Sequence, residues 1–175
     1  MPITSEMHRR NVEALNRAIA EEAGAVDAIC LKIMRETGDY VVGWLKGKTY
    51  TYKDQTYNLT DSTGCAIYKN GVLTEFKYML DKQATKPRVI TYHKTKVTVN
   101  GRQLLEEALT NAALVTAHGY SLELFSAAPY GICVNEGLGN QPNGGGIKRG
   151  VGWFDNLQED VEREFKRIVL KYGIN

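Results

Sequence analysis

Histidine is scarce in this chain of 175 residues: only His8, His93 and His118 occur, and none forms an HxH, HExxH or Cys/His ligand spacing. That removes the sequence basis for a metal centre and leaves surface histidines as the reading. Cysteine is equally sparse. Cys30, Cys65 and Cys133 are odd in number and make no CxxC pair. A disulfide framework is therefore not expected, a reducing compartment fits, and the three thiols read as small buried hydrophobes. Charge of one sign is also missing. Lys and Arg total 22 against 20 Asp and Glu, a net of +2, too little for a nucleic-acid-binding field over the whole molecule. Local basic patches stay open. No run of about 18 apolar residues occurs, so no membrane span is expected. The opening stretch MPITSEMHRRNVEALNRAIAEE lacks the apolar block of a secretory signal. The expected location is the cytoplasm, or a particle assembled there.

Catalytic signatures are missing as well. Ser62 and Ser121 lack the GxSxG elbow. The glycine-rich stretch GGGIKRG could free backbone N–H groups to face an anion. It fails the stricter GxxxxGK[ST] and GxGxxG patterns. What remains is a loop over residues 136–152 carrying Lys148 and Arg149, able to touch a phosphate backbone or an acidic partner. Glu136 is the carboxylate nearest that loop, and its bland role is to anchor it by a hydrogen bond. Acid–base work would need a second carboxylate or a histidine beside it. No cofactor is implied.

The residues that are present describe one globular domain. Hydrophobic residues make up 43% and charged residues 24%, ordinary for a folded chain of this length. Val12, Leu15, Ile19, Val26, Ile29 and Ile33 recur at three-, four- or seven-residue steps and predict a helix over 5–36. Thr37-Gly38-Asp39 reads as its stop. A stripe of this kind is expected to pack into the core, with a partner helix as the sharper alternative. From 39 to 99 the chain is rich in Tyr, Thr and Val and reads as strands and loops. Asn70-Gly71 predicts a type I′ hairpin turn, RVITYHKTKVTVNG one strand or two short ones, and 77–87 an exposed loop. Lys46, Lys48, Lys53 and Lys69, interleaved with Tyr50, Tyr52, Tyr57 and Tyr68, resemble a basic surface with stacking aromatics, although any half-exposed Tyr/Lys strand looks the same. A second helix is predicted over 102–118 and strands over 120–135. A third helix over 154–172 has Asp155 or Asn156 as cap and Phe154, Leu157, Val161, Phe165, Ile168 and Tyr172 as apolar face. The expected class is α+β, with helices packed on one face of a mostly antiparallel sheet.

Three segments together resemble a known family. Thr56–Ser62 is similar to the TGxLxxS turn-strand of bacteriophage head–tail connector and tail-completion (neck) proteins. Residues 128–139, APYGICVNEGLG, resemble their YAxxVExG strand, with Tyr130, Val134, Glu136 and Gly137 in the matching places. Residues 152–169 resemble their closing aromatic residue and C-terminal helix. Tyr57 stands where the family has Gly, Asn135 separates the usual Val-Glu pair, and 77–119 is longer than in a typical member.

The resemblance implies a non-catalytic structural subunit of a virion neck. Copies would form a ring between portal or adaptor and tail proteins, with DNA passing through the centre and no membrane involved. The expected locations are then the virion and, during assembly, the host cytoplasm. Lys46, Lys48, Lys53, Glu136, Lys148 and Arg149 are the positions expected at subunit interfaces or facing DNA. Two other classes are weighed beside it. One is a small nucleic-acid-binding module using the Lys/Tyr strands and the basic loop. The other is a small hydrolase using Glu136 or a Cys/His pair.

Overall fold

The computed structural model describes residues 5–48, 58–80, 87–92, 94–111, 118–128 and 156–174. The first helix, α1, runs from Ser5 to Lys48 without a break, twelve residues beyond the expected end at 36. Gly38 does not stop it. That glycine sits where α1 crosses the sheet, and a Cβ there would lie 3.0 Å from Lys77 Cδ and 3.4 Å from Cys65 Sγ. The segment DYVVGWLKGK, read as strand from its β-branched residues, carries Val41, Val42 and Leu45 at helical spacing from Ile33, Met34 and Thr37, and all six are buried. Burial of that face outweighs intrinsic preferences of a few tenths of a kcal/mol per residue.

A short helix α2, Asn58–Asp61, leads into strand β1, Thr63–Lys69. The Asn70-Gly71 turn has positive φ at both residues, 51° and 77°, and returns the chain as β2, Val72–Tyr78. That is the expected hairpin. Strand β5, Tyr120–Ser126, pairs antiparallel on the other side of β1, giving the order β2-β1-β5. Strands β3, Arg88–Tyr92, and β4, Thr95–Val99, form a separate antiparallel hairpin. In the 77–87 region, Lys77 and Tyr78 belong to β2 and Met79 is fully buried, so the exposed loop does not begin there.

The helices cover both faces of the three-stranded sheet, not one. On the first face, Val41, Val42 and Leu45 of α1 pack with Cys65 and Met79. Leu157 of the closing helix α4, Leu157–Lys171, joins them there. On the opposite face, Leu105 and Leu109 of α3, Gly101–Asn111, pack on Ala66 and Tyr68. The central strand is consequently buried from Thr63 through Tyr68. Its TGCAIYK sequence shows no alternation because neither face is wet.

Helix α4 follows expectation in extent, with Leu157 and Ile168 buried and Gly173 ending it at φ 73°. Asn156 stands at the cap position but adopts φ 60° and makes no side-chain cap bond, and Phe165 is 37% exposed. The buried face runs through Leu157, Val161, Glu164 and Ile168, so Phe165 falls just outside it. Helix α4 runs antiparallel to α1. Trp44 Nε1 donates to Asp160 Oδ2 at 3.0 Å, and Lys171 Nζ and Tyr172 Oη donate to the Glu36 carboxylate at 2.9 and 2.6 Å.

Among the described residues four ion pairs tie α1 to its neighbours, Asp27–Lys69, Arg35–Glu75, Glu36–Lys171 and Asp39–Lys77, and the first three set an expectation for acid. Tyr172 and Lys171 hold Glu36 below its ordinary value of 4.5, and Arg35 does the same to Glu75. Lys69 and Tyr120 hold Asp27 below 3.8. A carboxylate whose pKa is depressed on folding stabilises the fold fully above its unfolded value. It loses that contribution as pH falls through the folded value. The urea midpoint should therefore stay level from pH 7 to about 5 and decline steadily below about 4. A midpoint that stayed level below about pH 4 would show that these pairs contribute nothing, and one that rose would show them to be repulsive.

Candidate functional site

The described residues draw attention to the free half of α1. Its packed half begins near Asp27, whose carboxylate accepts from Lys69 Nζ at 2.7 Å and Tyr120 Oη at 3.0 Å. Upstream of Asp27 every residue from Arg9 to Val26 is exposed. At a rise of about 1.5 Å per residue, residues 5–26 make an arm about 33 Å long. Val12, Leu15, Ile19 and Val26 are 41, 60, 57 and 54% exposed. The apolar stripe expected to pack into the core therefore does so only from Ile29, which is half-buried, and Ile33, which is buried.

The arm overhangs the end of the sheet. There Asn70 N donates to Gly119 O, and Gly119 N donates to Asn70 Oδ1, both at 2.8 Å. These two bonds join the β1–β2 turn to the start of β5 and make a firm tip. Between tip and arm lies an open, mostly apolar groove of about 600 Å³, with Ile19, Ala23 and Val26 on the helix side and Asn70, Gly119 and Tyr120 on the sheet side. Lys69 closes its floor, over the Tyr120 ring at 5.7 Å.

The residues singled out from sequence are not gathered into one site. Lys46 is exposed near the C-terminal end of α1, and Lys48 is that helix's last residue; both were expected among strands. Lys53, Glu136, Lys148 and Arg149 lie outside the described residues. So do Tyr50, Tyr52, Tyr57 and the second strand expected within 120–135. Of the Lys/Tyr set, Tyr68 is 2% exposed with its hydroxyl buried, and Lys69 is engaged with Asp27. Neither is presented for stacking on a base. His118 is exposed, and among the described residues no group of three His, Cys, Asp or Glu is placed to hold a metal ion.

Cys65 fits the reading of a buried hydrophobe. Burial pushes its thiol up to about 12, and the thiol donates weakly to Gly38 O at 3.6 Å. Cys30 is half-buried beside the groove, and Cys133 lies outside the described residues. What sequence reasoning missed is the cluster of Asp27, Lys69 and Tyr120 that sets where the arm leaves the body. Asp27 and Tyr120 are 93 residues apart, and no local pattern connects them. One signal for the exposed arm was present. Glu22 sits in the stripe where a core helix would carry an apolar residue. Comparison with protein-family models, with curated proteins and with solved structures finds no match to this chain.

Proposed function

We propose that this chain is a structural subunit that acts by assembling, and that the assembly is the ring of a tailed-phage neck joining portal or adaptor to tail. The observation that carries the assembly reading is the arm. A helix that leaves Val12, Leu15, Ile19 and Val26 in water over four turns leaves unrealised the burial that stabilises amphipathic helices. A neighbouring subunit supplies that burial. The body behind the arm has helices packed on both faces of its sheet, with α4 bound to α1 at both ends. Copies joined head to tail close into a ring when the rotation between them closes. The neck assignment itself rests on the three segments that resemble connector proteins. In that setting the chain performs no catalysis, and DNA passes through the channel.

The test is the mass of the purified protein across a wide concentration range, with negative-stain images of the largest species. Concentration-dependent growth toward annular particles with a central channel is the expected result. A monomer mass at every concentration, with no annular particles, would overturn the ring.

A further inference from the structure

We propose that the arm of α1 pairs antiparallel with the arm of a second copy of this chain, the two crossing at Ile19. This contact is two-fold symmetric. It makes the second copy's arm the neighbour that buries the stripe, so the arms join copies in pairs and the head-to-tail contacts of a ring fall to other surfaces of the body.

The first ground is spacing. Val12, Ile19 and Val26 stand seven residues apart, Leu15 fills the alternate position, and the same frame continues to Ile29 and Ile33, where the body takes over the seam. Apolar residues repeating at seven-residue steps are the pattern of helices that pair along a seam. The residues flanking the seam include Ala18, Ala23 and Ala25, all exposed and small enough to let a second helix close in.

Charge then chooses the direction. Toward its N-terminal end the arm carries Arg9, Arg10 and Arg17 against Glu6 and Glu13. Toward the body it carries Glu21, Glu22 and Asp27, with no cation on the helix before Lys32. Parallel pairing would set like ends together and bury Glu22 against its own copy in the seam, where neither carboxylate finds a counter-ion. Antiparallel pairing sets the basic end of each arm beside the acidic end of the other. It also places Glu22 next to Asn16 of the second copy, whose amide can donate to it.

The two valines of the stripe are symmetric about Ile19, and Leu15 falls opposite Ala23 of the second copy. Val12 and Val26 each lie seven residues away, so Val12 of one copy meets Val26 of the other. Val26 borders the groove at the sheet tip. The end of each arm therefore enters the groove of the other subunit, bringing Arg9 toward Asp27.

Disulfide mapping tests this directly, in full-length protein carrying Cys30→Ser and Cys133→Ser. Cross-linking needs Cα atoms within about 7 Å. Ile19→Cys should form a covalent dimer under mild oxidation, and Val12→Cys should cross-link to Val26→Cys when the two proteins are mixed. Val12→Cys alone should not. Self-cross-linking of Val12→Cys as readily as Ile19→Cys would mean parallel arms and would overturn the proposal. Failure of both Ile19→Cys and the mixed pair would overturn it as well. As a second measurement, Ile19→Glu should weaken self-association in sedimentation equilibrium by about 100-fold or more, through lost apolar burial on both copies and two facing carboxylates. Circular dichroism should show the body still folded, since Ile19 touches none of its core. Unchanged association in that variant would exclude the arm as the contact. Because cross-linking reads the arm contact and imaging reads the ring, failure of either reading leaves the other measurable.

Discussion

Gly101→Ala should destabilise the fold by about 3–5 kcal/mol, a large part of the 5–15 kcal/mol that holds a typical domain together. Gly101 opens α3 directly against α2. A Cβ built there falls well inside van der Waals contact of the Asn58 carbonyl oxygen, with Asn58 C at 2.9 Å and Cα at 3.0 Å. All three are backbone atoms of a 1% exposed residue and cannot turn away. The same approach lets Gly101 N donate to Asn58 Oδ1 at 2.9 Å. An alanine must push α3 off α2, which breaks that bond and draws Leu105 out of the core, where it is fully buried. The cost combines overpacking with a buried donor left unmade. Urea denaturation followed by far-UV circular dichroism checks it, with Gly24→Ala as control. Gly24 lies in the arm with nothing within 4 Å of a new Cβ, and alanine there should raise helicity without loss of stability. A Gly101→Ala midpoint equal to wild type would mean that α2 and α3 are not in this contact.

Asp61→Ala is the second large effect, also about 3–5 kcal/mol. The Asp61 side chain is fully buried, and Arg102 Nη2 donates to it at 3.1 Å from a side chain only 11% exposed. The same guanidinium donates to Leu80 O at 3.0 Å and lies over the Tyr78 ring at 3.7 Å. Removing the carboxylate leaves a cation in the interior with one carbonyl and a ring face for company. That stranded charge, not the loss of attraction, makes up most of the cost. Asp61→Asn should be milder because it keeps shape and one acceptor. A double-mutant cycle with Arg102→Met should show coupling of at least about 1 kcal/mol. If Asp61→Ala cost less than about 1 kcal/mol, Arg102 would have to reach water in solution.

These two positions lie together, and neither was visible as a pair beforehand. Asp61 and Arg102 are 41 residues apart. Nothing in NLTDS or NGRQL marks a buried ion pair, because burial belongs to the assembled sheet and not to either segment. The hairpin at Asn70-Gly71 was legible for the opposite reason. Positive φ at two consecutive residues is a local demand that Asn and Gly meet by themselves. The end of α1 is not legible in the sequence, because the local signals at 37–47 favour strand and stop, while the packing of Val41, Val42 and Leu45 against Cys65 and Met79 favours helix. Packing carries more free energy than propensity, so the helix continues.

The candidate interface divides the same way. Periodicity alone showed an apolar stripe from Val12 to Ile33, and its seven-residue spacing is in the sequence. Periodicity cannot say whether a stripe meets its own sheet or something else, since both demand the same residues. The sheet decides that. It ends at Asn70 and Gly119, so only the part of α1 beyond Asp27 finds a surface to cover. The sequence by itself determined the α+β class, the hairpin, the closing helix and an amphipathic α1. Tertiary structure alone decided which half of α1 is core and which is exposed, because the length of the sheet, set by pairing between distant strands, limits how much of the helix can be buried.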